Sequence, residues 1–180
     1  MTIADLDPAH LAPLARFAGA LPDGDVTFIE EDVRDPAVVE GWVQARPGDR
    51  ARRWVALDDG GEEVIGLAAL VPLIGWSSHV GSLRLVVHPA HRGRGVGGAL
   101  ARHALLQAAH LELRKVVVEV VAEQEPAVRL FFDLGFQAEA LLHDHIRDRA
   151  GDLRDLLVLA HHLEDNWSAM ASVGVEEEVA

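Results

Sequence analysis

The chain has no cysteine, no tyrosine and a single lysine, Lys115. Without cysteine there is no disulfide framework, no thiolate metal site and no sulfur nucleophile. Long apolar runs are also missing. The longest, from Val64 to Trp76, is interrupted by Gly66, Pro72 and Gly75 and is too short to cross a bilayer. The first residues include Asp5 and Asp7 and lack a basic region followed by an apolar run, which argues against a secretory signal. These absences point to the cytoplasm and away from a membrane partner. Positive charge is scarce too: the formal net charge is −13, whereas a nucleic-acid partner calls for a basic surface.

What is present suits one folded domain. Of 180 residues, 49% are hydrophobic and 25% charged, enough for a single core and too rich for a disordered chain. The charge is unevenly spread. Between Val64 and Leu111 there is no Asp or Glu, while Arg84, Arg92, Arg94 and Arg102 all fall there. An acidic chain that keeps one segment purely cationic, with three of the four arginines around a glycine-rich turn, suggests a bound anion.

The pattern along the chain divides into helical and extended parts. Asp7-Pro8 reads as an N-cap with proline at the first helical position, followed by Leu11, Leu14, Ala15 and Ala18 at helical spacing. Asp35-Pro36 opens a second short helix to about Ala45, and the first third reads as helical throughout. Arg53 to Asp58 and Glu63 to Val71 flank Asp59-Gly60-Gly61 as a hairpin, and Val80 to His88 is a strand ended by Pro89. Gly95 to about His110 is helical, Lys115 to Val121 is a β-branched strand, and Pro126 to Leu134 is a helix stopped by Gly135. Phe136 to Ile146 and Leu153 to His161 make a second hairpin. The order predicts an α+β domain with a mixed sheet and at least one parallel crossover, over residues 1–163. Residues 164–180, with Glu176-Glu177-Glu178, read as an acidic helical appendage fraying into a tail.

The most informative stretch runs from Leu85 to Leu100: a strand, His88-Pro89, then Arg92-Gly93-Arg94-Gly95-Val96-Gly97-Gly98, then a helix. Glycines let backbone approach a bulky anion, and the first N–H groups of a helix are unpaired and carry the positive end of its dipole. Arginine side chains add charge-assisted hydrogen bonds. The physical reading is a phosphate or diphosphate cradle. A Walker A loop is excluded, because it needs lysine followed by Ser or Thr and the only lysine lies elsewhere. Gly93, Gly95 and Gly98 meet the spacing of a dinucleotide fingerprint, but the preceding strand closes an antiparallel meander and no acid ends the next strand.

Arg92-x-x-Gly95-x-Gly97 resembles the signature of the GNAT acyltransferase superfamily, preceded by the usual strand and His-Pro turn. A second family motif follows: Glu119 to Gln124, then Ala127-Val128-Arg129-Leu130-Phe131, then Leu134-Gly135-Phe136. The resemblance covers Arg53 to His161 and implies the GNAT fold, a mostly antiparallel twisted sheet flanked by helices. It implies acetyl-CoA as acyl donor, its diphosphate held by backbone N–H groups from Arg92 to Gly97, with Gly98 and Gln124 nearby. It implies direct transfer of the acyl group to an amine, without an acyl-enzyme; no metal is expected, because the histidines lack a third convergent ligand. Such a transfer calls for a base to deprotonate the ammonium, a donor to the developing oxyanion and protonation of the leaving thiolate.

Glu119 is the first candidate base, with Glu30 and Glu31 as alternatives at the acceptor mouth. A backbone N–H near Val86 or Val87 is the oxyanion donor. Phe131 occupies the position resembling the family's tyrosine and has no acid role, so His143, His145, water or unassisted departure must serve instead. Gln124 replaces the usual asparagine. His88, His91 and His103 read as turn or packing residues. Trp42, Trp54 and Trp76 read as packing residues, with Trp76-Ser77-Ser78-His79 as an alternative loop over the acceptor. The acidic surface suits a cationic acceptor such as a polyamine or a basic peptide N-terminus. Because the tyrosine is missing, a GNAT-fold module that binds acyl-CoA without turnover is the rival reading. The resemblance also admits a homodimer, with the late strands or the tail as the contact surface.

Overall fold

The structure, a computed structural model, describes residues 1–22, 25, 33–44, 50–148 and 150–163. The acidic tail, Glu30 and Glu31 lie outside the described residues. Among them, seven strands form one sheet: β1 (Thr2–Asp5), β2 (Arg52–Leu57), β3 (Val64–Pro72), β4 (Val80–Val87), β5 (Lys115–Val121), β6 (Gln137–Arg147) and β7 (Leu153–His162). Their spatial order is β1-β2-β3-β4-β5-β7-β6. Every neighbouring pair is antiparallel except β4 and β5. Four α-helices whose residues are described accompany the sheet: α1 (Leu11–Ala20), α2 (Pro36–Val43), α3 (Val96–His110) and α4 (Glu125–Asp133).

Most of these elements lie where local chemistry puts them. Asp7 accepts from the Ala9 N–H at 2.8 Å and Asp35 from the Ala37 N–H at 2.9 Å, each preceding a proline that cannot use its missing donor. Such caps contribute about 1 kcal/mol each. Parallel strands cannot be joined by a hairpin, so β4 and β5 require the crossover that α3 supplies. The opening residues differ from expectation. Thr2–Asp5 is a strand, not part of a helical third, and its register is set by β2, with Thr2 opposite Leu57 and Asp5 opposite Trp54. Four residues carry too little periodicity to reveal this; pairing decides it.

Strand alternation divides the core in two. On one face α3 and α4 pack over Trp54, Ala56, Leu70, Leu83, Val116, Val118 and Val120. On the other, α1 and α2 cover Val55, Leu57, Val64 and Leu67. Leu100, Ala101, Ala104 and Leu105 of α3 are wholly buried, and a buried leucine stabilises the fold by roughly 1.5–3 kcal/mol. The start of α3 lies very close to β3. A Cβ on Gly66 would come within 2.9 Å of Leu100 Cδ1 and 3.1 Å of Val96 Cγ1. That approach fixes the first turn of α3 against the end of β4.

Candidate active site

Pairing between β4 and β5 is brief. Val80, Gly81 and Ser82 face Lys115, Val116 and Val117, and there the recorded register ends. Meanwhile β4 stays paired to β3 through Val87, and β5 to β7 through Val121. The two central strands therefore part, and a cavity of about 540 Å³ occupies the gap, within the usual range for small-molecule sites. The backbone of β4 is available to it. Leu73 N–H donates to Val80 O at 2.8 Å and His88 N–H to Ile65 O at 2.9 Å, so the even-numbered residues spend their polar groups on β3. By alternation, Leu83, Leu85 and Val87 direct theirs into the gap. Of the two oxyanion candidates, Val87 has its N–H on the open side and Val86 does not.

The glycine turn closes one end of this gap. His88 ends β4 and its Nδ1 accepts from the Ala90 N–H at 3.2 Å, fixing the turn at Pro89. Gly93 and Gly95 adopt φ of +70° and +84°, left-handed conformations that disfavour any side chain. Gly95 caps α3 with no side-chain hydrogen bond, so the first-turn N–H groups of Val96, Gly97 and Gly98 have no capping partner. Gly97 lets the turn approach its neighbours: a Cβ there would sit 3.2 Å from Leu130 Cδ2 and 3.5 Å from Val87 Cγ2. Gly93, Gly95, Val96, Gly97 and Gly98 all line the cavity. The result is a backbone cradle for an anion at a helix N-terminus.

The arginines depart from expectation. Arg92 Nε donates to Val87 O at 3.1 Å and its guanidinium pairs with Asp25, so this side chain braces the turn to β4 and to the N-terminal segment. It lines the cavity, but its charge is already engaged. Arg94 is exposed and lies outside the cavity wall. In an acidic chain a carboxylate is close at hand, and Asp25 takes the guanidinium that the sequence suggested for a ligand. The cradle is therefore built of backbone more than of arginine side chains.

Glu119, exposed on β5, lines the gap. Because Val118 and Val120 point into the core beneath α3 and α4, Glu119 faces the α1–α2 side of the sheet. Phe131 lines the same cavity from the opposite side, 5% exposed and edge-on to Phe136 with ring centroids 5.1 Å apart. Gln124 also lines it, its N–H donating to Val121 O at 2.9 Å where β5 turns into α4. The histidines proposed as acids are elsewhere. His143 Nδ1 lies 3.0 Å from Asp155, and Asp155 also accepts from the Asp144 N–H at 2.9 Å, within an irregular stretch of β6. These contacts hold the Asp155 carboxyl below its ordinary pKa, the Asp144 N–H first and His143 second. Neither His143 nor His145 reaches the cavity wall, whereas His91 does. His161 is buried against Phe136, and burial pushes its pKa down, with His162 adding to the effect. Among the described residues no three His, Asp or Glu side chains converge as metal ligands.

The tryptophans divide. Trp54 is core, edge-on to His103. Trp76 is 96% exposed and outside the cavity wall, so it neither packs nor covers the site. Trp42 lines the cavity beneath the Arg53 guanidinium, 5.2 Å from ring centroid to Cζ. Arg53, Ser82 and Arg84 join it on the α1–α2 side. Sequence reasoning missed this group as a site. The signal existed only as alternation on three separate strands, and their register was needed to bring it together.

Comparison with known proteins agrees with this geometry. Spermidine N(1)-acetyltransferase of Vibrio cholerae is 28% identical over 114 residues, 62% of this chain and 65% of that protein. YjgM of Escherichia coli, described as an uncharacterized N-acetyltransferase, is 33% identical over 58% of this chain and 62% of that one. The match thus spans less than two thirds of either relative. Among solved structures, a GCN5-related N-acetyltransferase from Kribbella flavida superposes with a TM-score of 0.76 at 24% identity, over 90% of this chain and 97% of that one. The yncA protein of Salmonella typhimurium, solved with its cofactor acetyl-CoA, gives 0.75 at 20% identity over 99% and 96%. These likenesses establish the fold. No helix among the described residues is long and apolar enough to cross a membrane. The model of the Acetyltransferase (GNAT) family matches residues 20–136, a span that holds the parted strands, the glycine turn and Glu119, and the chain belongs to that family.

Proposed function

We propose that this protein is an N-acetyltransferase that uses acetyl-CoA and transfers the acetyl group directly to a primary amine of a small molecule or peptide. The observation that carries the reading is the gap between β4 and β5, with the glycine turn at one end and Glu119 on its wall. In this reading the N–H groups from Gly93 to Gly98 hold the donor's diphosphate, the Arg92 N–H being spent on Pro89 O at 3.4 Å. Leu83, Leu85 and Val87 offer backbone partners to the thioester arm, and the Val87 N–H faces the oxygen that becomes negative as the amine attacks. Glu119 accepts a proton from the ammonium, directly or through one water, leaving a neutral nitrogen to attack the thioester carbon. As the carbon–sulfur bond breaks, the nitrogen releases its second proton to solvent, giving the neutral amide, and the thiolate departs with the electron pair. Phe131 offers it no proton, so the proton comes from solvent.

Phe131 is also the observation that favours the second reading, a GNAT-fold module that binds acyl-CoA without turnover. Calorimetry with acetyl-CoA and a thiol-release assay over a broad amine panel separate the two. Tight binding with release on some amine supports the transferase; tight binding with release on none supports the module. Glu119→Gln is expected to lower turnover by about 10²- to 10⁴-fold while leaving acetyl-CoA affinity unchanged. Wild-type rates in that variant would remove Glu119 from the mechanism. Gly95→Glu should abolish acetyl-CoA binding, and unaltered affinity would contradict the cradle.

A further inference from the structure

The α1–α2 side of the cavity carries charges in one row across the sheet. Arg53 of β2 faces Ala69 of β3, and Ala69 faces Arg84 of β4. Ser82 faces Val117, and two residues further along both strands Arg84 comes level with Glu119 as the strands begin to part. All four residues line the cavity, and Trp42 lies under Arg53. The row reads guanidinium, methyl, guanidinium, carboxylate. Neighbouring backbones are about 4.8 Å apart, so the two arginines flank a shallow step roughly 10 Å wide with only the Ala69 methyl between them.

We infer that the acceptor is a small zwitterion of the α-amino-acid class, its ammonium toward Glu119 and its carboxylate on Arg84. Its side chain lies over Ala69 toward Arg53 and Trp42. This rests on the transferase reading and narrows its substrate. A polyamine uses the row less fully: one cationic end meets Glu119, but the rest of the chain offers the N–H donors of Arg84 no acceptor. Both arginines also interact within the protein. A guanidinium has five N–H donors, so an internal partner and a ligand carboxylate are compatible. The acidic surface had suggested a cationic acceptor. The cavity wall instead favours a ligand that also carries an acceptor, because surface charges more than about 10 Å from the ligand are screened by salt, whereas groups in contact with it are not.

The test compares free L-amino acids, their carboxamides and spermidine as acceptors, with acetyl-CoA as donor. Acceptor binding to the CoA-loaded protein is measured alongside turnover. The inference expects free amino acids to have a KM lower than their carboxamides by about 10- to 100-fold. Arg84→Gln should erase that difference while leaving acetyl-CoA affinity unchanged, and Arg84→Lys should restore part of it. Unchanged coenzyme affinity also shows that the variant folds. Equal or better use of carboxamides or spermidine overturns the inference and leaves the transferase standing. So does equal binding of acids and amides when nothing turns over. Loss of acetyl-CoA binding in the wild-type protein defeats the underlying reading itself, and the inference with it.

Discussion

At residue 131, where the family resemblance implies a tyrosine, this chain has a phenylalanine. Phe131 lines the cavity and packs edge-on against Phe136, with Phe136 in turn against buried His161. Phe131→Tyr would add a hydroxyl to a residue of the cavity wall. If thiolate protonation limits the reaction, Phe131→Tyr should raise kcat by about tenfold and leave acceptor KM unchanged, as expected for an interaction made only in the transition state. Steady-state kinetics of the two forms decide this, and an unchanged kcat would show that the thiolate leaves unaided. Glu119 was legible as a candidate because its strand alternates. Arg92 was legible as part of the turn, but a sequence does not show the Asp25 carboxylate that its guanidinium meets.

At the scale of elements, the site depends on how tightly α3 is held to β3 and β4. Gly66 has no room for a side chain: its Cβ would meet Leu100 and Val96 at 2.9 and 3.1 Å. Gly66→Val should destabilise the fold by about 1–3 kcal/mol through overpacking. It should also weaken acetyl-CoA binding, because the first turn of α3 that forms the cradle must move. Denaturant titration and calorimetry on the same variant test both halves, and full affinity in a destabilised protein would uncouple helix position from binding. The helices and hairpins were readable from caps, glycines and β-branched runs. β1 was not, because four residues gain strand identity only from β2. Nor was the parting of β4 from β5 readable, since it is a property of two strands diverging and neither strand alone carries it.

At the scale of the whole molecule, stability should respond to pH through a buried histidine. His161 is 1% exposed, and burial lowers its pKa from the ordinary 6.5. The unfolded chain therefore binds a proton that the folded protein refuses. Its contribution to stability is present above the unfolded pKa and is lost as pH falls below it. The loss is at most about 1.4 kcal/mol per pH unit for one group. Carboxylates with lowered pKa, among them Glu139 held by Lys115 and His162 and Asp155 held by the Asp144 N–H, act only at lower pH, where they too lose their stabilising effect as pH falls. Thermal melts from about pH 7.5 to 5.5 should show falling Tm, and His161→Gln should flatten that slope. An equal slope in the variant would exclude His161 as its source.

The sequence by itself determined the family, the order of nearly all elements and the place of the glycine turn. Each of these is written in short-range chemistry: caps, breakers, alternation and the demand for φ above zero. Only the tertiary structure decided which side chains share the cavity wall on the α1–α2 side. Arg53, Ala69 and Arg84 lie on three neighbouring strands at levels set by hydrogen-bond register, and Glu119 follows two residues past the Ser82–Val117 pair, where β5 leaves β4. A pairing shift of one residue would turn any of them to the other face.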